Sequence, residues 1–105
     1  KRISGAQRTT AETQIKSLGN ALDTFRFDIG RYPTTQEGLQ ALVTNPGLEG
    51  WDGPYIREPK IPLDPWQNPY QYQSPGAHGE YDLYSYGKDG NSGGDGDNAD
   101  ITSWE

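Results

Sequence analysis

The residues best suited to chemistry lie near the C-terminal end, in a glycine-rich stretch. Counted from Asp89, oxygen-bearing side chains occupy positions 1, 3, 7, 9 and 12 of a twelve-residue segment: Asp89, Asn91, Asp95, Asp97 and Asp100. Ca²⁺ takes about six to eight such hard oxygen ligands around one point. Glycines in the same stretch permit the positive backbone φ that a tight wrap around an ion requires. The spacing therefore predicts a cation site, and its oxygen donors favour calcium.

The twelve-residue segment is not an EF-hand loop. Gly93 stands at position 5, where an EF-hand carries Asp or Asn, and Asp100 stands at position 12 in place of the bidentate Glu. The residues before the segment alternate like a strand, and only five residues follow it. Two interpretations stay open: a calcium loop of another kind, and a solvated Gly/Asp loop without an ion.

The net charge of −6 comes from the same end of the chain. Residues 80–105 carry seven acids and a single base, Lys88, whereas residues 1–79 carry eight of each. Surfaces that bind nucleic acid or phosphate need clustered Lys and Arg, so this distribution argues against a nucleic-acid partner. It is typical of a cation site or of a solvated acidic tail.

The composition leaves little material for a core. The 105 residues have the length of one domain, but only 30% are hydrophobic, and no cysteine is available for a disulfide. A bound metal or a partner is then the remaining way to stabilise so small a domain. Because His78 is the sole histidine and cysteine is absent, zinc is a poor candidate.

Enzymatic interpretations have weak support. A single histidine and no cysteine give little from which to build a nucleophilic dyad or triad. Asp64 and Asp82 could form a general acid–base pair, but no feature of the sequence marks them as buried. Asp64 precedes Pro65, a pattern typical of a turn-forming residue. We therefore expect a protein that is not an enzyme.

Hydrophobic periodicity predicts a helix over residues 6–29. Apolar side chains recur there at steps of three and four and share one face: Ala11, Ile15, Leu18, Leu22 and Phe25. Gly30 is a stop signal. A capping box from Thr34 to Glu37 predicts the start of a second, short helix that ends at residues 45–47.

The second half of the chain predicts loops and strands. Residues 44–68 combine proline and glycine with two Trp, which is typical of an irregular but packed loop and not of a linker. Alternation then predicts an antiparallel hairpin from residues 69–73 and 80–86, and residues 101–104 form a possible third strand. The expected fold class is α+β, with a long N-terminal helix packed on a small antiparallel β-sheet.

Several motifs, taken in order, resemble those of one protein family. They are RYPTTQEGLQAL at residues 31–42, DPWQNPYQY at 64–72, SPG at 74–76, HG at 78–79, DLYS at 82–85, GKDG at 87–90, GGDG at 93–96 and ADI at 99–101. Together they resemble the major pseudopilin of the type II secretion system of Gram-negative bacteria, a relative of type IV pilins. The resemblance runs over nearly the whole chain.

The resemblance implies a type IV pilin-like fold, with residues 1–105 as a single globular domain. It also implies that a cleaved leader and a strongly apolar transmembrane helix, both absent from this sequence, precede the domain in the full-length protein. That helix would hold the protein in the inner membrane, with the domain in the periplasm. Family members polymerise through it into a helical pseudopilus, work with minor pseudopilins and inner-membrane secretion components, and help export folded proteins across the outer membrane.

Calcium is the cofactor that the resemblance implies, within residues 86–100, hereafter the candidate calcium loop. By position, its ligands would be the side chains of Asp89 and Asp100, the backbone carbonyl of Tyr86 and a group on Asn91. Some family members have two adjacent acids before the isoleucine, but here Ala99 replaces the first. We therefore expect Asp97 to supply the remaining oxygen, with Asp95 in reserve.

Two alternative functions stay open at this point. A minor pseudopilin or a type IV pilin subunit would share the fold but have an adhesive or capping task. A calcium-dependent module that binds carbohydrate or protein would instead use its tyrosines and tryptophans, with Trp51 or Trp66 exposed.

Overall fold

The computed structural model describes residues 2–91, 93–94 and 100–104, and side chains from residue 6 onward. The elements in chain order are helix α1 (Arg2–Ile29), a 3₁₀ helix (Leu39–Leu42), and strands β1 (Gln71–Gln73), β2 (Asp82–Ser85) and β3 (Ile101–Thr102). The strands form one antiparallel sheet in the order β1–β2–β3. One long helix on a small antiparallel sheet confirms the predicted α+β class.

The apolar stripe of α1 supplies more of the core than any other element. All five predicted members of the stripe are buried: Ala11, Ile15, Leu18, Leu22 and Phe25. The stripe packs with Leu39 and Leu42 of the 3₁₀ helix, with Leu83 of β2 and with Ile101 of β3. The opposite face of α1 is polar apart from Phe27, which is 87% exposed. Within the described ranges, no helix combines the length and the apolar character needed to cross a membrane.

The capping box exists, but it does not start a helix. The Thr34 amide donates to Glu37 Oε1 at 2.9 Å, and the Glu37 amide donates to Thr34 Oγ1 at 3.1 Å. These reciprocal bonds close a turn, after which Gly38 takes a φ of 64° and redirects the chain. Regular structure begins only at Leu39 and is a 3₁₀ helix of four residues. The prediction of a second helix starting at the box was therefore wrong in position.

Residues 44–68 form the irregular, packed loop that the sequence predicted. The Trp51 Nε1 group donates to the Ala41 carbonyl at 2.7 Å, and the Tyr55 hydroxyl donates to Asp28 Oδ2 at 2.8 Å. The Trp51 and Tyr55 rings meet edge to face, with centroids 5.5 Å apart. The loop is thereby fixed both to α1 and to the 3₁₀ helix.

Two phenylalanines of α1 allow a matched test of this core. Phe25 is fully buried against Tyr55, whereas Phe27, two residues along, is almost fully exposed. Phe25→Ala should lower the free energy of unfolding by about 3–5 kcal/mol, because it leaves a cavity in the core. Phe27→Ala should change it by less than about 0.5 kcal/mol. Urea denaturation measures both, and equal losses would contradict this packing.

Candidate metal site

The candidate calcium loop begins and ends at neighbouring strands of the sheet. Tyr86 directly follows β2, and Asp100 directly precedes β3. Ser85 pairs with Ile101 in the antiparallel register. Tyr86 and Asp100 are the next residues beyond that pair, so both lie at the same end of the sheet. Of the predicted ligands, Tyr86, Asp89, Asn91 and Asp100 are described. Asp97 and the reserve Asp95 lie outside the described residues.

Tight turns shape the described part of the loop. Gly87, Gly90, Gly93 and Gly94 all have positive φ, between 68° and 95°. The Gly90 amide donates to the Gly87 carbonyl at 3.2 Å and closes the first turn. A side chain at these glycines would be strained, so the residue type and the loop path depend on each other.

Two of the predicted ligands hold this loop path through their carboxylates. Asp89 Oδ1 accepts the Asn91 amide at 3.0 Å. Asp100 Oδ1 accepts the Gly93 amide at 3.0 Å, which connects the end of the loop with its middle. This bond places Gly93, in the middle of the loop, against the last residue of the loop.

The donor chemistry of the described residues fits a hard cation. Carboxylates such as those of Asp89 and Asp100, peptide carbonyls such as that of Tyr86 and an Asn side chain are typical Ca²⁺ ligands. Among the ion pairs of the described residues, none joins Asp89 or Asp100 to Lys or Arg. The same residues contain no group of three or more acidic, His or Cys side chains placed to hold a metal. The described part supplies only a share of the expected donor set.

Asp64 is a buried carboxylate that the sequence did not reveal as buried. Its side chain is 1% exposed. Its Oδ1 accepts the amides of Trp66 at 3.0 Å and Asn68 at 2.8 Å, so the prediction of a turn-forming residue is confirmed. Its Oδ2 accepts the Ser85 hydroxyl at 2.7 Å, and Ser85 Oγ in turn accepts the Gly87 amide at 3.1 Å.

Asp82 is a second buried carboxylate, 3% exposed. It accepts the amides of Ala77 at 2.9 Å and His78 at 3.1 Å, together with His78 Nδ1 at 3.1 Å. Burial alone would raise the pKa of Asp82, but the two amides and the His78 ring outweigh it and hold that pKa below its ordinary value. The His78 ring stacks on Trp104, with centroids 4.0 Å apart, and so connects this turn to the end of the chain.

The two buried carboxylates organise separate turns. In the described hydrogen bonds they share no partner, and each is occupied by backbone amides. Sequence reasoning also did not identify Ser85 and Asn68 as hydrogen-bond partners of Asp64. The alternation of β2, which places Ser85 on the same face as Leu83, was the signal that Ser85 points inward.

Comparison with solved structures gives the class of this fold. Its architecture matches the crystal structure of the major pseudopilin from the type 2 secretion system of enterohaemorrhagic Escherichia coli, with a TM-score of 0.78 and 36% sequence identity. The match covers 98% of this chain and 90% of that one. One long helix on a three-stranded antiparallel sheet is thus a pseudopilin fold.

Sequence comparison identifies the family. The family model described as "Type II secretion system (T2SS), protein G" matches residues 1–104. The chain is 47% identical to the type II secretion system core protein G of Pseudomonas aeruginosa, over 95% of its own length and 72% of the relative's. It is also 47% identical to the core protein G of Vibrio cholerae, over 94% of its own length and 69% of the relative's. This chain belongs to the type II secretion system protein G family.

Asp82 gives a prediction for acid stability. Because its folded pKa is depressed, its stabilising contribution is complete above the ordinary Asp pKa of about 3.9 and is lost as pH falls below that value. Asp82→Asn should be less stable at neutral pH, and it should lose less of its remaining stability on acidification than the parent chain. Denaturant unfolding at a series of pH values measures both, and parallel profiles for the two chains would contradict the assignment.

Proposed function

We propose that this chain is a structural subunit of the type II secretion pseudopilus, in the role of its major pseudopilin. The observation that carries the proposal is the match to the protein G family over residues 1–104. The full-length protein adds an apolar N-terminal helix, which anchors it in the inner membrane and leaves this domain in the periplasm. There it polymerises with further copies, minor pseudopilins and inner-membrane secretion components, and the fibre helps export folded proteins.

A structural role also accounts for the polar groups of the domain. The buried carboxylates of Asp64 and Asp82 are occupied by amide and side-chain donors, which suits them to holding turns. We propose on this basis that the protein is not an enzyme. Trp51 and Trp66 pack against the core, which argues against a carbohydrate platform of exposed tryptophans.

Calcium completes the proposed function. The ligands are the carbonyl of Tyr86, an oxygen of Asn91 and the carboxylates of Asp89, Asp97 and Asp100. Carboxylates drawn together by the loop repel one another, and a bound divalent ion supplies the charge that turns this repulsion into attraction. Support comes from the β2–β3 register, which brings both ends of the loop to one end of the sheet.

Removal of calcium should destabilise the domain. An ion that binds only the folded state stabilises it by about 2.7 kcal/mol at a hundredfold excess over Kd. That is a large share of the stability of a small domain. EDTA should therefore lower the Tm measured by calorimetry, and added calcium should restore it. A Tm that is the same with EDTA and with calcium would overturn the site.

Substitution of a proposed ligand distinguishes the loss of calcium from this loop from any other effect of EDTA on the domain. Asp100→Ala should have the low Tm of the EDTA-treated parent, and EDTA should lower it little further. Glu58→Ala, which removes an exposed acid from the 44–68 loop, is the control and should keep the full response to calcium. A full calcium response in Asp100→Ala would remove that residue from the ligand set.

Cross-linking tests the role as a major subunit. Lys16 on α1 and Lys60 on the 44–68 loop are both exposed to an amine-reactive cross-linker. In fibres assembled from the full-length protein, a ladder of multiples of this subunit is expected, because a heterologous contact repeats along an open filament. Denaturing gels show the ladder. Adducts to other proteins without a ladder would indicate a minor pseudopilin.

A further inference from the structure

We infer that Asp64 and Ser85 position the first half of the candidate calcium loop, although neither is a ligand. They would act through the turn at residues 64–68, hereafter the 64–68 turn. This inference rests on the calcium site proposed above. It assigns a further function to two buried polar residues that already attach the 64–68 turn to β2.

The 64–68 turn is built around one carboxylate. Asp64 Oδ1 accepts two amides of the turn, from Trp66 and Asn68. The backbone closes the same turn, since the Asp64 amide donates to the Asn68 carbonyl at 2.8 Å and the Gln67 amide donates to the Asp64 carbonyl at 2.9 Å. Four hydrogen bonds thus fix the direction in which Asp64 Oδ2 points.

Ser85 carries this fixed direction to the loop. The Ser85 hydroxyl donates its single proton to Asp64 Oδ2 at 2.7 Å. The oxygen lone pairs of Ser85 then accept the Gly87 amide at 3.1 Å. The peptide unit between Tyr86 and Gly87 contains both that amide and the Tyr86 carbonyl, the proposed backbone ligand. Because a peptide unit is planar, fixing its N–H also fixes its carbonyl.

A second contact connects the same turn with the loop. A Cβ atom built at Gly90 would lie 3.2 Å from Asn68 Nδ2, so the Asn68 side chain lies directly against the loop backbone. Gly87 and Gly90 are also the two ends of the first loop turn, which are joined by their own hydrogen bond. Asp89 lies between them and Asn91 follows. Asp64, through Ser85, and Asn68 therefore hold the loop at Gly87 and Gly90. These two positions flank Asp89 and adjoin the other two proposed ligands of this half, Tyr86 and Asn91.

The physical consequence is a loop partly preorganised for its ion. Ordering a flexible loop opposes binding, and contacts already made without the ion reduce the entropy cost that binding must overcome. Groups that orient metal ligands from outside typically contribute about 10–100-fold in metal affinity. We expect Asp64 and Ser85 to act in this way on calcium.

Ser85→Ala is the direct test in the 105-residue chain. It removes the link between Asp64 Oδ2 and the Gly87 amide, and the Kd for calcium, measured by isothermal titration calorimetry, should rise by about tenfold or more. Ser103→Ala is the matched control. Its hydroxyl also accepts a backbone amide, that of Leu83 at 3.2 Å, but it does not contact the 64–68 turn, so its Kd should stay that of the parent.

A double-mutant cycle distinguishes positioning from general destabilisation. Asp64→Asn keeps an oxygen for the turn amides but presents an NH₂ group to Ser85, so the hydroxyl no longer has an acceptor there. If both residues act through one link, Asp64→Asn and Ser85→Ala combined should have the Kd of the weaker single variant. Two purely structural effects would instead lower the calcium-free Tm and leave the Kd unchanged.

Asn68→Ala keeps the inference testable if Ser85→Ala does not fold. It removes the side chain against Gly90 but keeps the backbone amide that Asp64 holds, and its Kd should also rise. Calcium binding by the parent together with an unchanged Kd in Asn68→Ala and in the folded Ser85 or Asp64 variant would overturn the positioning role alone. No calcium binding by the parent would overturn the proposed site and this inference together.

Discussion

The packing of one apolar helix face against a three-stranded sheet is the interaction on which the rest of the domain depends. The stripe of α1 meets Leu83 of β2 and Ile101 of β3, and it also covers the 3₁₀ helix. Only 30% of the chain is hydrophobic, which limits how much of the domain apolar packing alone can hold. The long loops must therefore be held mainly by hydrogen bonds and aromatic edges, as Trp51 and Tyr55 show.

In this domain, two buried carboxylates fix turns that a larger hydrophobic core would fix in a bigger protein. Asp64 and Asp82 each collect amides from a neighbouring turn and attach that turn to β2, through Ser85 in one case and directly in the other. Such groups tolerate burial only when they are fully hydrogen-bonded. The arrangement makes the two turns specific in geometry, and it places one of them under the candidate calcium loop.

The candidate calcium loop connects strands β2 and β3 of the sheet. The strands at its two ends pair with each other, and its first turn lies against Ser85 and Asn68, both bonded to Asp64. Its acids carry much of the negative charge of residues 80–105.

Much of this protein followed from the sequence by itself. Periodicity gave α1, alternation gave the β1–β2 pairing, the Asp and Gly spacing marked the candidate loop, and the ordered motifs indicated the family. These signals are local, because each reports how neighbouring residues repeat. The capping box misled because a local hydrogen-bond pattern serves a turn as well as a helix, and Gly38 decided between them. Tertiary structure alone decided that Asp64 is buried and bound to Ser85, because those residues are 21 positions apart and meet only when the loop folds onto the sheet.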